Sequence, residues 1–113
     1  GSLRMNVPLQ VGQVVHLMMG DPQNLAGRVS EVTRAALNDL GRGRPSAALI
    51  LLDEAHRHLL DYHAAGVFAA ARAELGSLPF AMVYTLGQTV KGYEKRTIFA
   101  NNSISAIVFG TPD

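Results

Sequence analysis

The sequence predicts an α/β fold, built on a mainly parallel sheet of about four strands with helices on both faces. Short apolar runs suited to strands alternate with longer amphipathic runs suited to helices along the whole chain. Successive strands are separated by enough residues for a helical crossover, which parallel neighbours require. A length of 113 residues fits one core. Residues 3–113 are therefore predicted to form a single α/β domain.

Four strands are predicted from apolar runs that are too short for free-standing helices. They are Gln13–Met19, Ala47–Asp53, Phe80–Leu86 and Ile104–Phe109.

The first helix is predicted between the first two strands. Asp21 is a suitable N-cap acceptor, Pro22 fits the first helical position, and Gly41 ends the pattern. Apolar residues recur three or four apart along it, which predicts one buried stripe. The stripe comprises Leu25, Val29, Val32, Ala36, Leu37 and Leu40.

Two further helices are predicted at His63–Leu75 and Tyr93–Asn101. The former ends at Gly76, which suits a left-handed cap. Its inward residues are predicted to be Val67, Phe68, Ala71 and Leu75.

Composition excludes several classes of protein. Hydrophobic residues make up 48% of the chain and charged residues only 17%, which argues against disorder. No apolar run approaches the roughly 20 residues that a membrane-spanning helix needs, and no signal sequence follows Gly1-Ser2, which resemble a tag remnant. A soluble chain is expected. The formal charge of +1 gives no electrostatic indication of nucleic-acid binding. Because the chain has no cysteine, it can form neither disulfides nor thiolate zinc sites.

The candidate chemistry lies where the apolar run 48–52 ends in Asp53 and Glu54. Open α/β sheets keep their functional groups at the carboxyl ends of parallel strands. In nucleotide hydrolases this arrangement is called Walker B: the first carboxylate holds the magnesium shell and the second orients or deprotonates the attacking water. An acidic helix cap after an ordinary buried strand is the structural alternative. Gln88, just after the next strand, is predicted to face the same crevice.

The C-terminal two thirds resembles the motor domain of type IV secretion coupling proteins, the TraG/TraD group, in the part called the TraM-recognition domain. The resemblance covers about residues 48–113. It rests on Leu51-Leu52-Asp53-Glu54, Ala71-Arg72, Gln88 followed by Tyr93, Ile98-Phe99-Ala100-Asn101-Asn102, and Ile107-Val108-Phe109-Gly110-Thr111-Pro112-Asp113. The chain departs from the family at Ala55-His56 and Glu94, which leaves the subfamily open.

The resemblance implies a role for each matching residue. Asp53 would hold magnesium through water, Glu54 would be the catalytic base, and Gln88 would sense the γ-phosphate. Arg72 would be an arginine finger that reaches a neighbouring subunit, although a surface residue at a helix end is the alternative. Asn102 would fix the loop before the last strand, or simply form a turn.

The resemblance also implies a setting for the parent protein. That protein would be a homo-hexameric ATPase at the cytoplasmic side of the bacterial inner membrane. It would use ATP and magnesium, and it would contact DNA and a relaxosome accessory protein. A non-catalytic module that recognises such an accessory protein is an alternative, as is another DNA-translocation ATPase of the same superfamily.

No phosphate-binding loop of the form Gly-x-x-x-x-Gly-Lys-[Ser/Thr] occurs in the 113 residues. The chain is therefore predicted to be a part of a larger ATPase domain that does not hydrolyse ATP alone and carries no bound cofactor. The strand preceding that loop would normally lie between the Gln88 strand and the last strand. Without it, a homodimer or strand exchange is expected through the edge at 104–109.

Two other interpretations of the acidic region are weaker. Asp53-Glu54-Ala55-His56 also matches a helicase motif, but the Ser-Ala-Thr strand that such enzymes need downstream is replaced by Tyr84-Thr85-Leu86-Gly87. The group His56, His58, Asp61 and His63 could suggest a metal site. Residues two apart leave a helix on different sides, so solvated side chains are expected instead.

Overall fold

The computed structural model describes residues 8–16, 21–60, 62–91, 96–100 and 102–111, and it confirms the α/β class. The helices are α1 (Pro22–Asp39), α2 (Arg57–Leu60) and α3 (Ala64–Leu75), with a 3₁₀ turn at Glu54–His56. The strands are β1 (Arg44–Asp53), β2 (Phe80–Thr85), β3 (Gln88–Lys91), β4 (Thr97–Ala100) and β5 (Ile104–Thr111).

The main sheet has three strands in the order β2-β1-β5, and β3 and β4 form a separate antiparallel hairpin. β1 pairs with β2 in parallel and with β5 antiparallel. The prediction of a mainly parallel sheet of about four strands is therefore not confirmed. The cause is the hairpin: β2 is followed by β3 and β4 rather than by a helix. Since no crossover returns the chain to the opposite end of the sheet, β5 starts where β1 ends and runs back along it.

Two predicted elements differ from the structure. Residues 13–16 of the predicted first strand form no strand, and residues 17–19 lie outside the described residues. In the predicted third helix, Thr97–Ala100 form β4 instead, while 93–95 and 101 lie outside the described residues. β-Branched and aromatic side chains at 97–99 favour the strand once β3 offers a partner.

The first helix is confirmed. Asp21 Oδ1 accepts a hydrogen bond from the backbone N–H of Gln23 at 3.0 Å, and Pro22 opens the helix. Leu25 and Val29 are buried as predicted, but the third buried position is Thr33 rather than Val32. In α3, Val67, Ala71 and Leu75 are buried. Phe68 is half exposed and instead stacks against Phe80, with ring centroids 4.8 Å apart.

The core lies between the two long helices and one face of the sheet. Ala48, Ile50 and Leu52 alternate along β1 and join the buried residues of α1 and α3. Leu49 and Leu51 point to the opposite face, where the hairpin residues 88–90 lie near Leu51. The prediction of helices on both faces is thus wrong for the described part of the chain, in which both long helices cover the same face. None of its helices is long and apolar enough to span a membrane.

The helices are held to each other by a polar cluster at the surface. Arg34 Nη2 and Nε donate to the Glu74 carboxylate at 2.6 and 3.1 Å, and Ser30 donates its hydroxyl to the same group. These hydrogen bonds lower the pKa of Glu74 to about 2.

Substituting Gly110→Ala should destabilise the fold. A Cβ at this position would lie 2.7 Å from the Arg44 carbonyl oxygen and 2.8 Å from Leu40 Cδ2, so the β1–β5 pair and the end of α1 would have to separate. We expect a loss of about 2 kcal/mol in the free energy of unfolding, measured by urea denaturation. Gly27→Ala is the matched control, because a Cβ there meets nothing within 4 Å and should stabilise α1 by up to about 1 kcal/mol. Equal effects of the two substitutions would contradict this packing.

Lowering the pH should weaken the contact between α1 and α3. Because the folded-state pKa of Glu74 is lower than its unfolded value, the contribution of this carboxylate is complete above about pH 4.5 and is lost as the pH falls towards about 2. Urea midpoints across this range should fall less steeply for Glu74→Gln than for the wild type. Glu31→Gln, which removes an exposed pair within α1, should retain the wild-type slope. Parallel curves for Glu74→Gln and the wild type would refute the assignment.

Candidate functional site

Asp53 occupies the carboxyl end of β1, beside Thr85 at the end of β2. It is buried and caps the 3₁₀ turn, since its Oδ1 accepts a hydrogen bond from the backbone N–H of Ala55 at 3.0 Å. Its Oδ2 is buried and has no hydrogen-bond partner within the described ranges. The cap is the structural role that the sequence offered as an alternative. The second oxygen remains able to accept a further hydrogen bond.

Glu54 follows directly and is more accessible, with 37% of its side chain exposed. Its Oε1 lies 2.9 Å from Arg57 Nη1, three residues along the chain. The two predicted carboxylates therefore differ in environment: one is desolvated and fixed by a backbone N–H, while the other is accessible to water and is paired with a guanidinium.

Gln88 is buried at the start of β3 and lies at the same end of the sheet as Asp53. Its Nε2 donates to the carbonyl oxygens of Leu51 and Ser103, both at 3.2 Å, and its Oε1 accepts from the Ser105 hydroxyl. The backbone N–H of Asp53 donates to the same Ser103 carbonyl at 3.1 Å. Gln88 thus ties the hairpin to the end of β1 and the start of β5, and both hydrogens of its amide are used.

Arg72 lies away from this group. Its Nη1 donates to the carbonyl oxygens of Gly76 and Leu78 at 2.7 and 2.9 Å, and its guanidinium stacks 4.5 Å above the Phe80 ring. Phe80 pairs with Ala48 in the sheet, five residues before Asp53, which is about 16 Å along a strand. Within one chain Arg72 therefore closes the end of α3, and its predicted action on a neighbouring subunit stays a prediction.

His56 was predicted to be solvated, but it is buried in the turn after Asp53. Its Nδ1 has no hydrogen-bond partner among the residues that the structure describes. Burial lowers the pKa of His56, and the nearby Asp53 carboxylate opposes this effect only in part. The imidazole therefore favours its neutral form beside the desolvated carboxylate.

Asn102 has a positive φ of 53° and lines a small cavity together with Arg28 and His56. A turn-forming role agrees with this conformation. His58 and His63 are exposed, whereas Asp61 lies outside the described residues. No group of three or more potential metal ligands occurs in the described part of the chain.

No motif in the sequence indicates that Ser103 and Ser105 belong to this region. The Ser103 carbonyl accepts a hydrogen bond from the Gln88 amide, and the Ser105 hydroxyl donates one to it, after the chain has turned back through the hairpin. Serine residues at the start of a strand are common, so only the fold identifies them.

Comparisons with protein-family models, with curated proteins and with solved structures find no match.

Substituting Gln88→Leu should destabilise the protein, because the Leu51 carbonyl and the Ser105 hydroxyl would lose a buried partner. The cost should be about 1–3 kcal/mol in the free energy of unfolding, measured by urea denaturation. Thr89→Val, at the exposed neighbouring position of the same strand, is the control and should change stability little. Unchanged stability of Gln88→Leu would mean that the amide is not a structural tie.

Proposed function

We propose that this chain is part of the motor domain of a DNA-transfer ATPase of the type IV secretion coupling group, and that it contributes the Walker B carboxylates and a polar sensor. One observation carries the proposal. A buried strand delivers Asp53, with an unpartnered carboxylate oxygen, directly before the accessible Glu54, and Gln88 lies at the same end of the sheet.

The donor set fits magnesium only as an outer-sphere partner. Magnesium keeps several waters and is often bound through one or two carboxylates together with substrate phosphates. Asp53 Oδ2 is buried, so it would accept a hydrogen bond from such a water only once that oxygen is exposed, while its other oxygen stays fixed to the Ala55 N–H. When bound, the ion would supply charge stabilisation for the phosphoryl group.

Glu54 is the better base of the two. Its side chain is accessible to water, and the salt bridge to Arg57 holds its carboxylate in position. To activate a water molecule, this carboxylate must accept a proton, which it would do through an oxygen that is not hydrogen-bonded to Arg57, whose Nη1 contacts Oε1. Gln88 would hold neighbouring groups in place rather than contact the γ-phosphate directly, because its Nε2 and its Oε1 are already hydrogen-bonded.

The free edge of β2 supports a partial P-loop NTPase fold. Among the described strands β2 pairs only with β1, and its six residues contain neither a charge nor a proline. Natural edge strands are usually protected by such residues. In the proposed parent, the strand that leads into the phosphate loop would pair along this edge. That pairing would extend the parallel part of the sheet towards the mainly parallel arrangement predicted from the sequence. The resemblance also places the last strand beyond that strand, whereas β5 pairs antiparallel with β1 on the other side of the sheet.

The remaining parts of the proposal concern the parent protein and rest on the resemblance. They are ATP and magnesium as cofactors, a homo-hexamer with Arg72 directed towards a neighbour, DNA as a partner, and a place at the cytoplasmic side of the bacterial inner membrane. Another DNA-translocation ATPase of the same superfamily would use the same carboxylates.

A protein-recognition module for a relaxosome accessory protein is the second candidate. It is favoured because the Gln88 amide and the Nη1 of Arg72, which the motor would use, already form structural hydrogen bonds within this chain. Apolar residues also remain exposed on the sheet, including Val83 and Phe109. Capture of an accessory protein by the isolated chain, with no effect of Glu54→Gln, would support this candidate over the motor.

The test of the motor is Glu54→Gln in the complete parent protein. We expect ATP to bind while hydrolysis falls by about 100-fold or more, because the amide cannot accept the proton of the attacking water. Glu31→Gln is a matched control, since Glu31 also pairs with an arginine three residues away, at 2.9 Å, but lies on α1. It should hydrolyse ATP at the wild-type rate. Wild-type hydrolysis by Glu54→Gln, or an upstream coding sequence without a phosphate loop, would overturn the proposal.

A further inference from the structure

The outer edge of β5 is unprotected. β5 pairs with β1 on one side, and no described strand pairs with its other side. Its eight residues include no charged residue and no proline, although these are the usual means of blocking an exposed edge. Ile107 and Phe109 are 43% and 51% exposed. This edge is therefore open to a further strand.

The segment before α1 contains exposed apolar residues that could form a strand. Val14 and Val15 are 77% and 59% exposed, and residues 13–16 have no regular structure. The sequence Gln13-Val14-Val15-His16 nevertheless begins an apolar run with strong β-propensity. Among the described residues, 13–16 pair with no strand of their own chain, so the strand that their composition favours has no partner there.

Chain topology indicates which edge a strand at this position would use. Parallel crossovers through a helix are right-handed, so the connection from β1 through α3 fixes β2 on one side of β1. α1 covers the same face as α3. A strand entering α1 and continuing into β1 must therefore lie on the opposite side of β1, which is the side of β5. In agreement, Leu25 in the first turns of α1 shares a cavity with Ile104 at the start of β5.

We propose that residues 13–16 of one copy of this chain add antiparallel to the free edge of β5 in a second copy, and that the exchange is reciprocal. The occupant is a second copy because, among the described residues, each chain carries an unpaired apolar segment and an unpaired apolar edge that do not pair with each other. A reciprocal exchange about a two-fold axis would pair the segment of each chain with the β5 edge of the other. It would also extend each three-stranded sheet to four strands.

The proposal is tested by the association state of the full chain over a range of concentrations, measured by light scattering and sedimentation. A dimer is expected. Val14→Pro should raise its dissociation constant by about tenfold or more, because proline removes a backbone donor and does not fit a paired strand. Val11→Pro is the matched control: Val11 is fully exposed but precedes the exchanged segment, so its dimer should match the wild type.

Hydrogen exchange identifies the occupant. Amides of residues 13–16 and of the outer edge of β5 should exchange more slowly as the dimer forms, and Val14→Pro should abolish this protection in both places. A monomer at every concentration would overturn the proposal. Protection that does not depend on concentration would show pairing within one chain, and a dimer unaffected by Val14→Pro would place the interface elsewhere, so either result would overturn it as well.

Discussion

The pairing of β1 on both edges is the constraint on which the rest of the structure depends. β1 hydrogen-bonds to β2 and β5 at once, and its residues Ile50 and Leu52 are almost wholly buried under the helices. Because both edges and one face are fixed, the end of the strand has little freedom. Asp53 is placed by this framework, and the adjoining turn then determines where Glu54 and His56 lie. Any chemistry of the acidic pair therefore depends on the packing of an apolar strand.

The parts of the fold that the sequence predicts are those with local signals. α1 has a capping aspartate, a proline at its first position and a regular apolar spacing, while β1 has an uninterrupted apolar run. The direction of β5 has no local signal, because a strand of this composition can pair either way. That direction follows from β4, which was predicted to be helical but forms a strand paired with β3. One wrong element thus changed the predicted topology of the sheet.

The candidate site shows the same division. The position of the acidic pair could be predicted because a strand end is visible in the sequence. The structural role of Gln88 could not be predicted, since its three hydrogen-bond partners lie 15 to 37 residues away along the chain. The burial of His56 also escaped prediction, because a polar loop composition suggested solvent. The fold instead turns this histidine inward as the 3₁₀ turn follows Asp53.

The two outer strands of the described sheet, β2 and β5, bear on two different hypotheses. The motor hypothesis concerns the edge of β2, which would receive a strand from the parent domain, whereas exchange between copies concerns the edge of β5. The edges lie on opposite sides of β1, so occupation of one does not block the other. A dimer through β5 would leave Glu54 and the β2 edge accessible, and loss of that dimer would not bear on ATP hydrolysis. The proposed self-association of the chain and its proposed role in a larger ATPase are thus independent hypotheses about one small sheet.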